Sequence, residues 1–360
     1  MHSKINILQL IRTPGIGLKT FEYLTKSFAN IHDAILHIET NTNKKIISKD
    51  IILNEINQLQ NKFNGNIITY QDPQYPKALK LMNDFPPALS CIGNIELLKQ
   101  KNIAIVGSRR ASLPFLNFTY ELSHNLIKYE SVNIVSGLAV GIDTYAHKGA
   151  FKNNIANTIV VLPHGISNQV YPSQNLKLYQ DIINSNGLII SEFPLQTPPG
   201  TTSFHQRNRI IAGLSQGVII VQASKKSGSL MTGKYALDYN RQIFAVPGAP
   251  MSPLSEGTNE LINNGAQIIT SASDTGAILH NLTNLNNQNN SSLLQSTQTI
   301  SISNTDKNNI LNVLSYEIPI TIDEIVQHLS LPVSTVRIVL VELSMANKAI
   351  ILENDSALRI

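Results

Sequence analysis

The chain has 360 residues, of which 42% are hydrophobic and 14% are charged, so it is not a disordered chain and can form two or three folded domains. Its single cysteine, Cys91, excludes an internal disulfide bond and a multi-cysteine zinc site, and is typical of a reducing compartment. With no signal-peptide pattern and no apolar stretch long enough to span a bilayer, we expect a cytoplasmic protein without a membrane partner.

Residues 1–65 are predicted to form a small helical domain. Apolar residues recur with helical spacing over residues 5–11 and again over residues 18–28. The intervening Thr13-Pro14-Gly15-Ile16-Gly17 resembles the turn of a helix-hairpin-helix unit, a SAM-like arrangement whose backbone N–H groups can bind a DNA phosphate. A plain turn between two packed helices is the alternative, and the sequence leaves both open.

Residues 66–280 are predicted to form an α/β core with a Rossmann-like parallel sheet, because short apolar strands alternate with helices. The predicted strands cover residues 67–70, 103–106, 133–136, 158–162, 187–191, 217–221 and 242–246. The predicted helices include residues 173–184, 204–215 and 229–240. In such sheets ligands bind outside the carboxyl ends of the strands, which directs attention to the loops there.

Residues 281–304 contain no charged side chain and are rich in Asn, Gln, Ser and Thr, so we expect a linker. The tail, residues 305–360, holds 4 Lys/Arg against 7 Asp/Glu. Its helices at 307–314, 321–329 and 334–345 and its strands at 349–352 and 357–360 predict a winged-helix domain. Such a domain can read DNA or dock a protein. Arg337 is the only cation of the presumed recognition helix, which favours docking.

The first loop of interest is Gly107-Ser108-Arg109-Arg110, which follows a strand and opens a helix. Backbone N–H groups at a helix start, a glycine and two cations are suited to a phosphate. The loop is neither the dinucleotide-binding G-x-G-x-x-G pattern nor a Walker A loop, and the latter occurs nowhere in the chain. The alternative is a pair of arginines in surface ion pairs.

A second loop runs from Gly137 to Gly141 and carries Asp143 and His147 on the helix that follows. These two residues are four apart and share a helix face, so they could act as an acid–base pair. Alternatively, Asp143 caps the helix or pairs with an arginine, and His147 bonds locally. The sequence has no nucleophile or metal signature, which favours the second interpretation over catalysis and predicts no cofactor.

Arg207 and Arg209 lie in a predicted helix and, being two residues apart, point to different faces. We expect one to contact the ligand and the other to brace the interior against a carboxylate such as Asp143 or Glu192, because a guanidinium can hold either partner bidentately.

A further basic loop, Lys225-Lys226-Ser227-Gly228, precedes another helix and combines point charges, a hydroxyl and backbone N–H groups. Several anion-binding loops along one sheet edge predict a ligand with several phosphates. Few aromatic side chains lie near these loops, and the candidates for stacking on bases are Phe204, Tyr145 and Tyr235.

Together these blocks resemble the DNA-processing protein A (DprA, also called Smf) family over residues 67–270. The matching segments occur in the family's order: Val106-Gly-Ser-Arg109, Ser136-Gly-x-Ala-x-Gly-Ile-Asp-x-x-Ala-His147, Arg207-Asn-Arg-Ile-Ile211, Ser227-Gly-Ser-Leu230 and Phe244-Ala-Val-Pro-Gly248. The resemblance implies a non-enzymatic, usually homodimeric protein that binds and protects single-stranded DNA and loads RecA recombinase during natural transformation. It also implies that Arg109 and the lysine pair lie in the strand-binding pocket, with Ser108, Gly137, Ser227 and Gly228 around it.

Two positions depart from the family's pattern: Gln222 stands where members commonly have Glu, and His205 where Pro is common. More distantly, the core resembles nucleotide N-glycosidases of the lysine-decarboxylase-like group. Their P-G-G-x-G-T-x-x-E block supplies a catalytic glutamate, which the segment from Ser227 to Gly233 lacks. A nucleotide N-glycosidase and a protein-only recombination adaptor are the alternative functions.

Overall fold

The structure, a computed structural model, describes residues 2–41, 44–129, 132–167, 169–274, 278, 304–316, 319–345, 348–352 and 356–359. The chain forms two compact units, residues 1–283 and 284–360. Apart from residue 304, the predicted linker at 281–304 lies outside the described residues. The domain boundaries expected at residues 65/66 and 280/281 stay predictions.

Four helices open the first unit: α1 (His2–Arg12), α2 (Leu18–Ser27), α3 (Ile31–Asn41) and α4 (Lys49–Phe63). The Ser48 hydroxyl accepts the N–H of Ile51 and caps the start of α4. Leu8 and Leu59, from α1 and α4, are fully buried in the same apolar cluster as the strand residue Ile67. The helices therefore share a hydrophobic core with the sheet that follows them.

The sheet region alternates strands with helices, as the sequence predicts. Its strands are β1 (Asn66–Thr69), β2 (Ala88–Gly93), β3 (Lys101–Gly107), β4 (Val132–Ser136), β5 (Phe151–Lys152), β6 (Ile155–Ala156), β7 (Thr158–Val161), β8 (Leu188–Ser191), β9 (Gly217–Val221), β10 (Gln242–Ala245) and β11 (Gln267–Ile268). Its α-helices are α5 (Lys77–Lys80), α6 (Leu113–Tyr129), α7 (Ile142–Gly149), α8 (Leu176–Asn184), α9 (Thr201–Leu214), α10 (Ser229–Asp238) and α11 (Glu256–Asn263).

Nine of these strands form one sheet in the order β1-β2-β8-β7-β4-β3-β9-β10-β11. The strands from β8 to β11 in this order pair in parallel, which confirms the predicted parallel core. By contrast, β2 pairs antiparallel with both β1 and β8. β2 was not predicted from the sequence, so this antiparallel end of the sheet was missed.

Both faces of the sheet are buried. Along β3, Ile103 and Ile105 pack into one apolar cluster, whereas Ala104 and Val106 pack into another. Successive strand side chains point to opposite faces, so a continuous apolar run is what a doubly covered strand requires. No helix in the described parts of the chain is both long and apolar enough to cross a membrane.

The second unit contains α12 (Asn304–Val313), β12 (Ile320–Thr321), α13 (Ile322–Leu329), α14 (Val333–Met345), β13 (Ala349–Leu352) and β14 (Ser356–Arg359). The three strands form an antiparallel sheet in the order β12-β14-β13. Thr321 and Glu324 form a reciprocal capping box at the start of α13. Three helices and a small sheet confirm the predicted winged-helix layout and add β12, which is too short to be recognised from its sequence.

Candidate nucleic-acid interface

The strands β3 and β9 are direct neighbours, and Gly107 of β3 is in register with Val221 of β9. A Cβ atom on Gly107 would lie 1.9 Å from the Val221 carbonyl oxygen, so only glycine permits this approach. One residue further on, the Ser108 N–H donates to the carbonyl of Gln222 at 2.9 Å. The two basic loops predicted from the sequence therefore leave the sheet side by side.

A cleft of about 600 Å³ opens at this edge of the sheet. The loops after β3 and β9 and the first turns of α9 and α10 line it with backbone, hydroxyl, amide and guanidinium groups. Its walls include eight of the predicted site residues: Gly107, Ser108, Arg109, Arg110, Asp143, Arg207, Ser227 and Gly228. Five polar residues that were not among the predicted site residues also line it: Thr201, Asn208, Ser224, Ser229 and Thr232.

Four cations in the two loops are exposed; Arg109 and Arg110 line the cleft, whereas Lys225 and Lys226 are not among its lining residues. Arg109 and Arg110 lie in the first loop, and Lys225 and Lys226 lie between the cleft residues Ser224 and Ser227. Among the residues that the structure describes, none of the four cations has a carboxylate within ion-pair distance. Their charges therefore remain available to an external anion, and surface ion pairs, the alternative for the arginine loop, are not formed there.

Arg207 is only 4% exposed although it borders the cleft. Its Nη1 donates to the carbonyl oxygens of Gly137 at 2.6 Å and Val161 at 3.0 Å. Burial lowers the pKa of Arg207 to about 10, so the guanidinium keeps its charge near neutral pH. Both arginines are buried, so the expected contact of one of them with ligand stays a prediction, and Arg207 is the one that borders the cleft.

Gly137, Asp143 and Arg207 form one buried polar group beneath the cleft. Asp143 Oδ2 accepts the N–H groups of Gly137 at 3.1 Å and Ala139 at 3.3 Å. Burial raises the pKa of Asp143, and the neighbouring Arg207 acts in the opposite direction. A Cβ atom on Gly137 would lie 1.6 Å from Arg207 Nη1, so Gly137 makes room for the guanidinium.

His147 is hydrogen-bonded to Thr158 and not to Asp143. The Thr158 hydroxyl donates to the Ile134 carbonyl at 2.6 Å, so toward His147 Nδ1, 2.7 Å away, it must accept, and Nδ1 carries the proton. Burial lowers the pKa of His147 to about 3, which keeps the imidazole neutral. The contacts of Asp143 and His147 agree with structural roles and do not form an acid–base pair.

Arg209 points away from the cleft and is 3% exposed. Its Nη2 donates to the Glu192 carboxylate, and its Nη1 donates to the Asp84 carbonyl at 2.5 Å. Burial raises the pKa of Glu192, and Arg209 opposes that shift. Glu192 was one of the two carboxylates that the sequence suggested as a partner for this arginine pair.

Two aromatic rings stand beside Arg109. Its guanidinium lies 5.1 Å from the Phe204 ring, which meets Tyr171 edge-on at 5.8 Å. Tyr171 is 43% exposed and lines a small depression together with Arg109 and Phe204. It was missed because this proximity depends on tertiary structure. Of the other aromatic candidates, Tyr145 contacts Lys148 and Tyr235 stacks on Tyr239, and neither is among the residues that line the cleft.

The two departures from the family's pattern differ in their surroundings. His205, the fifth residue of α9, is exposed and lines the cleft, and Arg207 still donates its hydrogen bonds although His205 replaces the common proline. Gln222 is buried directly after β9.

Across the described residues, no group of three or more His, Cys, Asp or Glu side chains is arranged to hold a metal ion.

Comparison with known proteins identifies the family. The family model "DNA recombination-mediator protein A" matches residues 66–280, and the model "DprA winged helix domain" matches residues 295–352. The chain belongs to the DNA recombination-mediator protein A family. This confirms the predicted resemblance and makes the chain a member of a family that acts in DNA processing and recombination.

Relatives in several bacteria share the core. The chain is 38% identical over 234 residues to protein Smf of Synechocystis, a match that covers 63% of this chain and 58% of the relative. It is 40% identical over 203 residues to the DNA processing protein DprA of Streptococcus pneumoniae, covering 56% of this chain and 70% of the relative. The match thus spans under two thirds of the Synechocystis protein's own length.

Two solved structures also resemble the chain. The X-ray structure of DprA from Streptococcus pneumoniae superposes with a TM-score of 0.61 at 32% identity, covering 76% of this chain and 95% of that one. A structure of DNA processing protein A from Helicobacter pylori, described for its single-stranded DNA binding mode, gives a TM-score of 0.54 at 35% identity and covers 60% and 96%. Both agree with the fold described above.

Proposed function

We propose that this protein binds single-stranded DNA in the cleft at the carboxyl ends of β3 and β9, without catalysis and without a cofactor. The observation that carries the proposal is the pair of adjacent loops with four exposed cations and no carboxylate partner among the described residues. Such loops suit successive phosphates of one strand, because phosphate contacts act through charge and backbone N–H groups.

The contacts divide the predicted site residues by role. Arg109, Arg110, Lys225 and Lys226 would contact phosphates, because they are exposed. The backbone and hydroxyl groups of Gly107, Ser108, Ser227 and Gly228 would complete the phosphate sites at the starts of the helices. Arg207 and Gly137 would hold the floor of the cleft instead of contacting DNA, because the guanidinium is bonded to backbone carbonyls.

A single strand fits the cleft better than a duplex because a single strand exposes its bases. Phe204 and Tyr171 stand beside Arg109 and offer ring faces or edges to an unstacked base. The related protein from Helicobacter pylori, whose structure is described by its single-stranded DNA binding mode, supports the same ligand class.

A nucleotide N-glycosidase would need a carboxylate placed to act on a bound nucleotide. Asp143 is the only Asp or Glu among the described residues that line the cleft, and its Oδ2 already accepts two backbone N–H groups.

A labelled oligonucleotide titrated by fluorescence anisotropy, without nucleotide or metal, should bind. In parallel, nucleoside monophosphates incubated with the protein should release neither base nor phosphate above a blank. Release, or a requirement for ATP, would overturn the proposal.

Family membership supports the remaining parts of the proposal: a cytoplasmic homodimer that loads RecA recombinase onto incoming strands in natural transformation. The acidic winged-helix tail would then serve protein docking, and the divisions at residues 65/66 and 280/281 would separate the helical, strand-binding and linker segments. Light scattering of the purified protein should give twice the chain mass, and RecA filament assembly on coated strands should accelerate when the protein is added. A monomer, or no acceleration, would contradict these parts alone.

A further inference from the structure

Gln222 occupies the point where the two basic loops meet. It directly follows β9 and stands three residues before Lys225. Its φ of 46° lies in the left-handed region, and its side chain is only 3% exposed. A non-glycine residue held in this conformation and buried beside a binding cleft calls for a physical explanation.

The contacts of Gln222 close the arginine loop at both ends. Its backbone carbonyl accepts the Ser108 N–H at 2.9 Å. Its side-chain Oε1 accepts the Ser112 N–H at 2.7 Å, and its Nε2 donates to the Ser112 hydroxyl at 3.3 Å. Ser108 and Ser112 flank the three-residue segment that carries Arg109 and Arg110, so one residue holds both ends of that segment.

Resting on the proposed function, we propose that Gln222 is a positioning residue that fixes the Arg109–Arg110 loop over the cleft before a strand arrives. A loop fixed in advance avoids the loss of conformational entropy that binding would otherwise require. Because the Gln222 amide is uncharged, it holds the loop without placing a negative charge beside the two arginines or the bound phosphates.

Two substitutions separate the side-chain tether from its charge. Gln222→Gly removes both side-chain bonds to Ser112 but keeps the left-handed backbone, which glycine adopts without strain. Gln222→Glu keeps the tether, because a carboxylate can accept both the N–H and the hydroxyl proton of Ser112. It adds a negative charge near Arg109 and Arg110. Gln222→Gly therefore releases the arginine loop from Ser112's side-chain partner, whereas Gln222→Glu keeps the loop in place and changes only the charge beside it.

Limited trypsin digestion reports the tether without any DNA, since trypsin cleaves after arginine. We expect cleavage after Arg109 and Arg110 to be about fivefold faster in Gln222→Gly, the factor that corresponds to about one net hydrogen bond. In Gln222→Glu the rate should match that of the parent protein. Thermal unfolding is measured in parallel, so that local loosening of the loop is separated from global unfolding.

Oligonucleotide affinity reports the consequence. Gln222→Gly should bind about fivefold more weakly, and Gln222→Glu about threefold more weakly, for every strand sequence alike. When Arg109 and Arg110 are both alanine, Gln222→Gly should have no further effect, because its action passes through those side chains. On Lys226→Ala, the matched control in the other loop, its effect should remain about fivefold.

Several results would overturn this inference. Parent-like cleavage and affinity in Gln222→Gly would show that the tether does not order the loop, and so would cleavage that rises equally at every site. An undiminished effect of Gln222→Gly in the double-alanine background would show that Gln222 does not act through the arginines. Failure of the parent protein to bind any oligonucleotide would instead refute the proposed function, while the trypsin result would still decide the tether.

Discussion

Removing one cation from the two loops at the cleft should weaken the binding of single-stranded DNA. It should also reduce the slope of log affinity against log salt. Arg109→Ala and Lys226→Ala each delete one exposed cation from adjacent loops, at positions where no described carboxylate would be left without a partner. Because the contact is electrostatic, the loss should be similar for every oligonucleotide sequence.

The magnitude follows from the number of cations. Each phosphate contact on a single strand contributes about 0.7 to the slope of log affinity against log salt, so four contacts give a slope of about −2.8. Raising salt from about 50 to 200 mM should then weaken the parent protein roughly 50-fold. A variant with three contacts has a slope of about −2.1 and should weaken roughly 20-fold over the same range.

The assay is an anisotropy titration of labelled homopolymeric and mixed-sequence oligonucleotides at four salt concentrations. Lys99→Ala is the matched control, because Lys99 is an exposed cation near the amino end of β3, paired with Glu96. The cleft lies at the other end of that strand, roughly 20 Å away. Arg337→Ala, in the second unit, is the further control, and neither control should change the slope.

Unchanged affinity and slope in both Arg109→Ala and Lys226→Ala would show that the strand does not lie in this cleft. The next place to search would then be the Pro14-Gly15-Ile16-Gly17 turn between α1 and α2, where a phosphate could meet backbone N–H groups. A loss confined to one oligonucleotide sequence would also count against phosphate contacts, because these carry no sequence information.

Three further predictions follow from the same contacts. Deleting residues 300–360, which belong to the separate acidic unit, should change oligonucleotide affinity by less than about threefold, or roughly 0.7 kcal/mol, in the same titration. Gly137→Ala should lower the free energy of unfolding by about 3 kcal/mol or more, because its Cβ would displace the buried Arg207 guanidinium from its partners. Gly228→Ala should change it by less than about 0.5 kcal/mol, since no atom lies within 4 Å of the added Cβ; denaturant titration measures both. The pKa of His147 is about 3 in the folded state and near 6.5 in the unfolded state, so between these pH values the unfolded state binds one more proton. The free energy of unfolding should therefore fall as pH drops from 6.5 toward 3, by up to about 1.4 kcal/mol per pH unit.

Each of these predictions has a contradicting result. A tenfold loss of affinity on deleting the tail would mean that the winged-helix unit reads DNA. Equal stability of Gly137→Ala and Gly228→Ala would refute the packing argument for Arg207. For the pH effect, His147→Gln removes the imidazole, so the variant should show a shallower loss of stability below pH 6.5 than the parent protein, and an unchanged slope would assign the effect to other groups.

The sequence alone determined the family, the strand–helix alternation and the loops that carry cations. These features are local: the short apolar run from Ile103 to Val106, rich in β-branched residues and followed by glycine, favours a strand. Gly107 and Arg109 directly after it mark the loop as an anion-binding candidate. The winged-helix tail was predicted for the same reason, because its helices and strands are continuous segments with clear periodicity.

Only the tertiary structure decided which side chains meet at the cleft. Helical spacing placed Arg207 and Arg209 on different faces, but the carbonyls of Gly137 and Val161 that bury Arg207 come from distant segments. The proximity of Tyr171 to Arg109 and the two-ended hold of Gln222 on the arginine loop likewise depend on strand order, which local pattern does not encode. β2 was not recognised as a strand, and its antiparallel pairing with β1 and β8 is a property of the path of the chain that no local pattern encodes.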